Sequence, residues 1–372
     1  MNKERMIENF LEMIKIHSPS NNEGKYTEYL INLLKNLGGE IYLDDGYKNY
    51  GGNAPVIFAK FKGNLSGEGI TLAAHMDVIE PSLGVNPIIE NNIIKTDGTT
   101  TLGGDDKAGI ASIIEVLRTI KEKNLEHRDI FVLLTPCEEA GMLGAKNIDW
   151  PSVPSHMRPA INMLVIDNAG EAGLIAHTAP SKYGITFTFT GKKAHAGIEP
   201  EKGINAICIA SEAISNMKIG RIDEFTTSNI GSITSDFPTN VVSDYCVVTA
   251  ELRGHSEEKI IEILNSYEEA CKNASILFGG GYSMKKRHDY PALKPKDDLK
   301  FAKEFAKIYE EIGVHTELKI IGGGSDSNIL AKEGFNSIII GVGMYDVHTV
   351  NEYLVTDDLF KTTEAILKYV TK

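Results

Sequence analysis

Apolar positions change period along the chain, and the changes predict an order of elements. Over residues 2–37, Ile7, Phe10, Leu11, Ile14 and Ile16 recur at helical spacing. Ser18-Pro19-Ser20 interrupts the pattern, which resumes over 26–37. Short β-type runs follow at 40–43, 56–60 and 69–74, and 108–121 reads as a strong helix. The runs 129–135 and 163–167 are apolar without alternation, as expected of strands buried on both faces. Strands alternating with helices predict an α/β domain with a largely parallel central sheet.

The texture changes near Pro180. Residues 183–190 alternate, marking a strand with one solvated face. A helix at 204–217, strands at 229–235 and 241–252, a helix at 257–274 and a strand at 281–287 complete the order βαββαβ. That order predicts a compact, ferredoxin-like α+β unit with helices on one sheet face. From Pro295 the first texture returns: helix 299–312, strand 316–320, the Gly322-Gly323-Gly324 turn, helix 327–333, strand 337–341 and a closing helix 356–369. The expected organisation is one α/β domain formed by 1–180 and 289–372, interrupted by an inserted domain, 181–288.

A chain of 372 residues exceeds one ordinary core, in keeping with two domains. The net charge of −13 would repel a phosphate backbone, so nucleic acid is excluded as the natural partner. Part of the acid excess can be metal ligands. Cys137, Cys208, Cys246 and Cys271 form no CxxC pair or disulfide framework, which suits a reducing compartment. The first sixteen residues lack the pattern of a signal peptide, and no run approaches the ~20 apolar residues of a membrane helix. A cytoplasmic protein without a membrane partner is expected.

Acids and histidines sit at the predicted strand ends, where open α/β sheets place their sites. His75-Met76-Asp77 follows an apolar run, and residues two apart in extended chain face one side. His75 can ligate a metal while Asp77 braces it. Gly103-Gly104-Asp105-Asp106-Lys107 puts two acids at a helix start, where one carboxylate could bridge two metals. Glu138-Glu139 follows a buried strand; adjacent acids there repel unless a metal takes one, leaving the other to accept a proton from the attacking water. Asp167 ends the run Met163-Leu-Val-Ile, and His348 lies just past another apolar strand. Together these offer His75, Asp105, Glu139, Asp167 and His348 as oxygen or nitrogen ligands. Such a set suits two divalent metals, zinc first, with cobalt or manganese also compatible.

As a set, the five clusters resemble those of the M20 metallopeptidases, and 96–109, Thr-Asp-Gly-Thr-Thr-Thr-Leu-Gly-Gly-Asp-Asp-Lys-Ala-Gly, is similar to the peptidase T (tripeptide aminopeptidase) branch. Gly104 stands where that branch usually has alanine, and the chain is somewhat short for it. The resemblance implies a di-zinc exopeptidase-type catalytic domain and an inserted lid and dimerisation domain, hence a homodimer. It implies that His75, Asp105 and Asp167 hold one metal and that Asp105, Glu139 and His348 hold the other. Asp105 is the ligand of its pair because the family pattern places the ligand two residues before the lysine; Asp106 is then structural. Asp77 would orient His75, and Glu138 would be the general base. His195, in Gly191-Lys-Lys-Ala-His-Ala-Gly197, would help polarise the substrate carbonyl, often in the partner subunit's site. Asn240, Arg253, Gly323 and Ser325 match substrate-contacting positions, Arg253 suiting a peptide carboxylate. The implied reaction is hydrolysis of short peptides, tripeptides foremost. An N-acyl amino acid deacylase or carboxypeptidase of the same family is the nearest alternative. A zinc aminopeptidase with HxD, DD and EE motifs but a different lid is less compatible with the βαββαβ insert, and a non-catalytic binding protein would not be expected to keep every ligand and the base.

Overall fold

The computed structural model describes residues 1–372, which form two compact units. The first comprises Met1–Thr178, Lys294–Ile321 and Ser325–Lys372; the second comprises Ala179–Leu293 with Gly322–Gly324.

The first unit is built on an eight-stranded sheet, in the order Glu40–Asp44, Val56–Phe61, Ile130–Thr135, Ile70–His75, Asn162–Asn168, Asn336–Gly341, Leu174–Thr178, Glu317–Ile320. The four strands from Ile130–Thr135 to Asn336–Gly341 run parallel. Both pairings on the flank of Glu40–Asp44 and Val56–Phe61 are antiparallel, as is the pairing of Leu174–Thr178 with Asn336–Gly341. The sheet is therefore mixed, with a parallel centre, rather than largely parallel throughout. The helix Gly104–Lys123 links two central strands; a crossover of that length permits parallel pairing, whereas short links reverse the chain.

That helix is buried on almost every side, including Ile110, Ile113, Ile114, Val116 and Leu117, and packs against the strands Ile70–His75 and Asn162–Asn168. Its first turn is drawn down tightly. A Cβ on Gly109 would lie 2.3 Å from the Ile166 carbonyl oxygen and 2.4 Å from Asp106 Oδ1, so only glycine permits the approach.

A second, four-stranded antiparallel sheet in the order Met344–Tyr345, Tyr353–Val355, Ile93–Thr96, Pro87–Glu90 was not foreseen. Strands of two to four residues carry too little alternation to register. This sheet positions the loop 346–352 beside the segment leading into the helix Gly104–Lys123.

The second unit is a five-stranded antiparallel sheet in the order Gly220–Asp223, Thr226–Thr234, Tyr245–Gly254, Ser181–Thr190, Gly281–Tyr290. Ile185, Phe187, Phe189, Val248 and Leu252 turn inward against the helices Ala206–Ser215 and Glu257–Phe278. The short strand Gly220–Asp223 adds a member to the expected βαββαβ order; mostly exposed and only four residues long, it gives no buried face to read. All four cysteines are free, and no helix is long and apolar enough to cross a membrane.

Gly109→Ala should lower stability by about 1–3 kcal/mol, the usual cost of forcing extra volume into a close-packed contact. Urea unfolding measures it, and an unchanged midpoint would contradict the tight helix-to-strand approach.

Candidate metal centre

The parallel strands deliver their acids and imidazoles to one end of the sheet. His75 closes its strand, Asp167 lies one residue from the end of the neighbouring strand, and Glu138-Glu139 follow two residues after Thr135. Asp105 opens the crossover helix, where φ −80°, ψ 103° is not yet helical, and the Asp105–Asp106 peptide is cis. His348 arrives on the loop after Asn336–Gly341 with φ 65°, a left-handed conformation uncommon for a side-chain-bearing residue. Cys137, φ 54°, makes the corresponding turn before Glu138.

Asp105 faces two ways. Its Oδ1 lies 3.0 Å from His75 Nε2, and its Oδ2 lies 3.1 Å from His348 Nε2. Asp167 Oδ1 stands 3.5 Å from the same His75 nitrogen, and Glu139 Oε1 stands 2.8 Å from His348 Nε2. That last contact is not a hydrogen bond: Glu139 Oε1 is buried without a hydrogen-bond partner, because the ring N–H is aimed at Asp105. Ligand atoms of His75, Asp105 and Glu139 lie within 4.8 Å of one another, as do those of His75, Asp106 and Asp167. Asp106 is already occupied, accepting from the backbone N–H of His75 and of Gly109, both at 3.2 Å. Asp105, not Asp106, is the carboxylate presented to both imidazoles.

His75 Nδ1 lies 3.0 Å from the Asp77 carbonyl oxygen, which can only accept; the proton therefore sits on Nδ1. Nε2 then points a lone pair at the oxygens of Asp105 and Asp167. Only a proton or a metal cation relieves that arrangement. Without a metal the ring takes the proton: burial opposes it, but the charges of Asp167, Asp105 and Asp77 hold His75 well above its ordinary range. The hydrogen bond to Asp105 and the adjacent Glu139 carboxylate push His348 up to about 10, against the effect of burial. Burial raises Asp105, yet the bonds from His348 and His75 outweigh it and hold the carboxyl well below its usual range. Burial, aided by the charges of Asp105 and Glu139, pushes Asp167 up to about 7 even against the pull of His75. Burial and the charges of Asp167, Asp326 and Glu139 raise Glu138 far above a normal glutamate. A crowd of acids that must borrow protons, with an orphaned carboxylate oxygen and two imidazoles aimed inward, fits divalent cations.

Asp77 does more than brace His75. Its carboxylate is 3.5 Å from His75 Nδ1, farther than its own carbonyl oxygen. Its hydrogen bonds come from the backbone N–H of Glu138 at 2.9 Å and of Glu139 at 3.1 Å, and from the Ser20 hydroxyl at 2.7 Å. Asp77 thus fixes the turn that presents the glutamate pair.

Other side chains of the centre went unread in the sequence. Asp326, which accepts from the Thr135 hydroxyl, is buried with Oδ1 unpartnered. Glu23 is fully buried and accepts from the Cys137 N–H at 3.0 Å. Lys107 is buried beside Asp106 and donates to the carbonyls of Met13 and Ile16 at 3.1 and 2.6 Å. Glu352 accepts from three backbone N–H groups of the 102–105 loop. Lys107 and Glu352 stood inside the motif stretches, and a charged residue among buried neighbours was the available signal.

In the second unit, His195 is exposed on a loop joined to the Asn240 loop by the Ala196 N–H to Asn240 carbonyl bond of 2.9 Å. Arg253 is half-buried on the sheet and forks onto Glu251 at 2.9 and 3.3 Å. Gly323 is exposed. Ser325 lies in the first unit. Its hydroxyl is buried and accepts from the Ser327 N–H at 3.2 Å in a capping box that starts the helix Asp326–Lys332.

The family model described as Peptidase family M20/M25/M40 matches residues 71–372. This chain belongs to that family. The chain is 36% identical over 370 residues to protein YqjE of Bacillus subtilis (strain 168), covering 100% of this chain and 98% of that protein. The crystal structure of aminopeptidase PepT from Bacillus cereus superposes with a TM-score of 0.91 at 33% identity, covering 100% of this chain and 98% of that one. A tripeptidase from Staphylococcus aureus gives a TM-score of 0.94 at 32% identity with the same coverage, 100% and 98%. Membership in the M20 peptidases makes the protein a hydrolase of a metallopeptidase family.

Divalent metal should raise the melting temperature of chelator-stripped protein, because it relieves carboxylate repulsion in the folded state alone. At 100 times Kd the gain is about 2.7 kcal/mol. Thermal unfolding with EDTA, then with zinc or cobalt, reads it; identical melting in both would contradict a metal centre.

Proposed function

We propose that the protein is a two-metal aminopeptidase that removes the first residue of short peptides, tripeptides foremost, with zinc as its resident metal. The observation that carries this reading is the two-sided Asp105, standing between His75 and Asp167 on one side and His348 and Glu139 on the other. The kinship with an aminopeptidase and a tripeptidase, along the whole chain, supports the choice of substrate.

When bound, two divalent ions supply Lewis acidity, lowering the pKa of water and polarising the scissile carbonyl. The chain's own residues do the rest. Burial and the neighbouring charges of Asp167, Asp326 and Glu139 raise the proton affinity of Glu138, and divalent cations beside it would offset those charges and leave it ionised, able to capture a proton. It accepts the proton of the attacking water and returns it to the leaving amine. Asp77 holds the Glu138 backbone so that its carboxylate stays aimed. In this reading His195 donates to the carbonyl oxygen as negative charge develops there. Arg253, sharing Glu251 as a partner, receives the C-terminal carboxylate of the peptide, with Asn240 and Gly323 beside the bound chain. The second unit serves as lid and as the contact of a homodimer. Four free cysteines suit the cytoplasm as the place of action.

A free tripeptide should be cleaved from its amino end, and a chelator should abolish cleavage until zinc or cobalt is restored. Glu138→Gln should lower kcat by at least ~10²–10⁴-fold while both metals stay bound. Near-normal turnover by Glu138→Gln, or release of N-acyl groups with no tripeptide cleavage, would overturn the reading.

A further inference from the structure

Asp105 can serve two metals only if the backbone that carries it is held still, and that segment has no side-chain cap of its own. Gly103, the residue before the helix, has φ 69° and contributes no capping group. The backbone N–H groups of Leu102, Gly103 and Asp105 converge instead on one carboxylate. Glu352 Oε2 accepts from Leu102 and Gly103, each at 2.9 Å, and Oε1 accepts from Asp105 at 3.0 Å. Glu352 is 2% exposed and lies on the loop that carries His348. That loop is itself tied, with the Glu352 N–H donating to the Thr349 carbonyl at 3.2 Å and the Thr349 hydroxyl to the Asp346 carbonyl at 2.7 Å.

We infer that Glu352 is a positioning residue that locks the Asp105 and His348 loops into one unit. This rests on Asp105 and His348 being metal ligands. Asp105 and His348 are 243 residues apart in sequence; the pairing of Tyr353–Val355 with Ile93–Thr96 brings their loops near each other, and Glu352 is the side chain that ties one directly to the other. Because Asp105 faces both histidines, loss of the lock weakens both metal positions together rather than one.

Calorimetric titration of chelator-stripped protein with cobalt alone tests it. Glu352→Gln keeps shape but turns an NH2 toward N–H donors. It should weaken cobalt binding about 10–100-fold, the usual effect of removing a partner behind the ligands. The metal-free melting temperature should stay close to the unsubstituted protein's, and excess cobalt should restore kcat with KM little changed. Glu352→Asp, which keeps the charge but is one methylene short of spanning all three amides, should weaken binding in the same direction by a smaller factor, and it decides the matter if Glu352→Gln does not fold. Unsubstituted affinity in both variants overturns the inference, as does a loss of turnover that excess metal does not restore. Failure of the unsubstituted protein to bind cobalt would overturn the metal-centre reading itself, and is seen before any variant is made.

Discussion

Carboxylates brought together out of water repel one another, and each costs desolvation unless a cation or a proton answers it. Asp105, Asp106, Asp167, Glu138, Glu139 and Asp326 crowd around His75 and His348 under this constraint, and the protonation pattern of the group follows from it. The sheet does not create the crowd for stability. A parallel centre points its strand ends the same way, and acids at those ends must meet.

The surrounding structure meets the same constraint by spending carboxylates on backbone. Asp77 takes the amides of Glu138 and Glu139, Asp106 those of His75 and Gly109, Glu23 that of Cys137, and Glu352 those of the 102–105 loop. Each of these acids is engaged by backbone N–H donors, Glu23 through one oxygen only, and none of them is presented to both imidazoles. The acids left over are the ones aimed at the imidazoles. Under the proposed assignment, ligand and brace differ by what the carboxylate already holds, not by residue type. Asp105 and Asp106 show this most plainly, because they are neighbours in sequence and opposite in use.

Much of this was legible in the sequence. The unalternating runs gave the central strands, the change of texture near Pro180 marked the inserted unit, and acids after apolar runs located His75, Asp105, Glu138-Glu139, Asp167 and His348. What escaped notice had physical reasons. The sheet of Pro87–Glu90, Ile93–Thr96, Met344–Tyr345 and Tyr353–Val355 consists of strands too short to show a period. The antiparallel flanks depend on connection length and pairing partners, which period alone does not carry. Glu352 and Lys107 look like surface charges until the contacts are known, since a buried charge is recognised by its partners.

The central claim is that one carboxylate, Asp105, is shared by two metal positions. Metal content per chain, measured by elemental analysis after saturation with zinc and dialysis, tests it most directly. The account predicts two equivalents in the unsubstituted protein and loss from both positions in Asp105→Ala, to clearly below one equivalent. Retention of one full equivalent by Asp105→Ala, or of both, would contradict it.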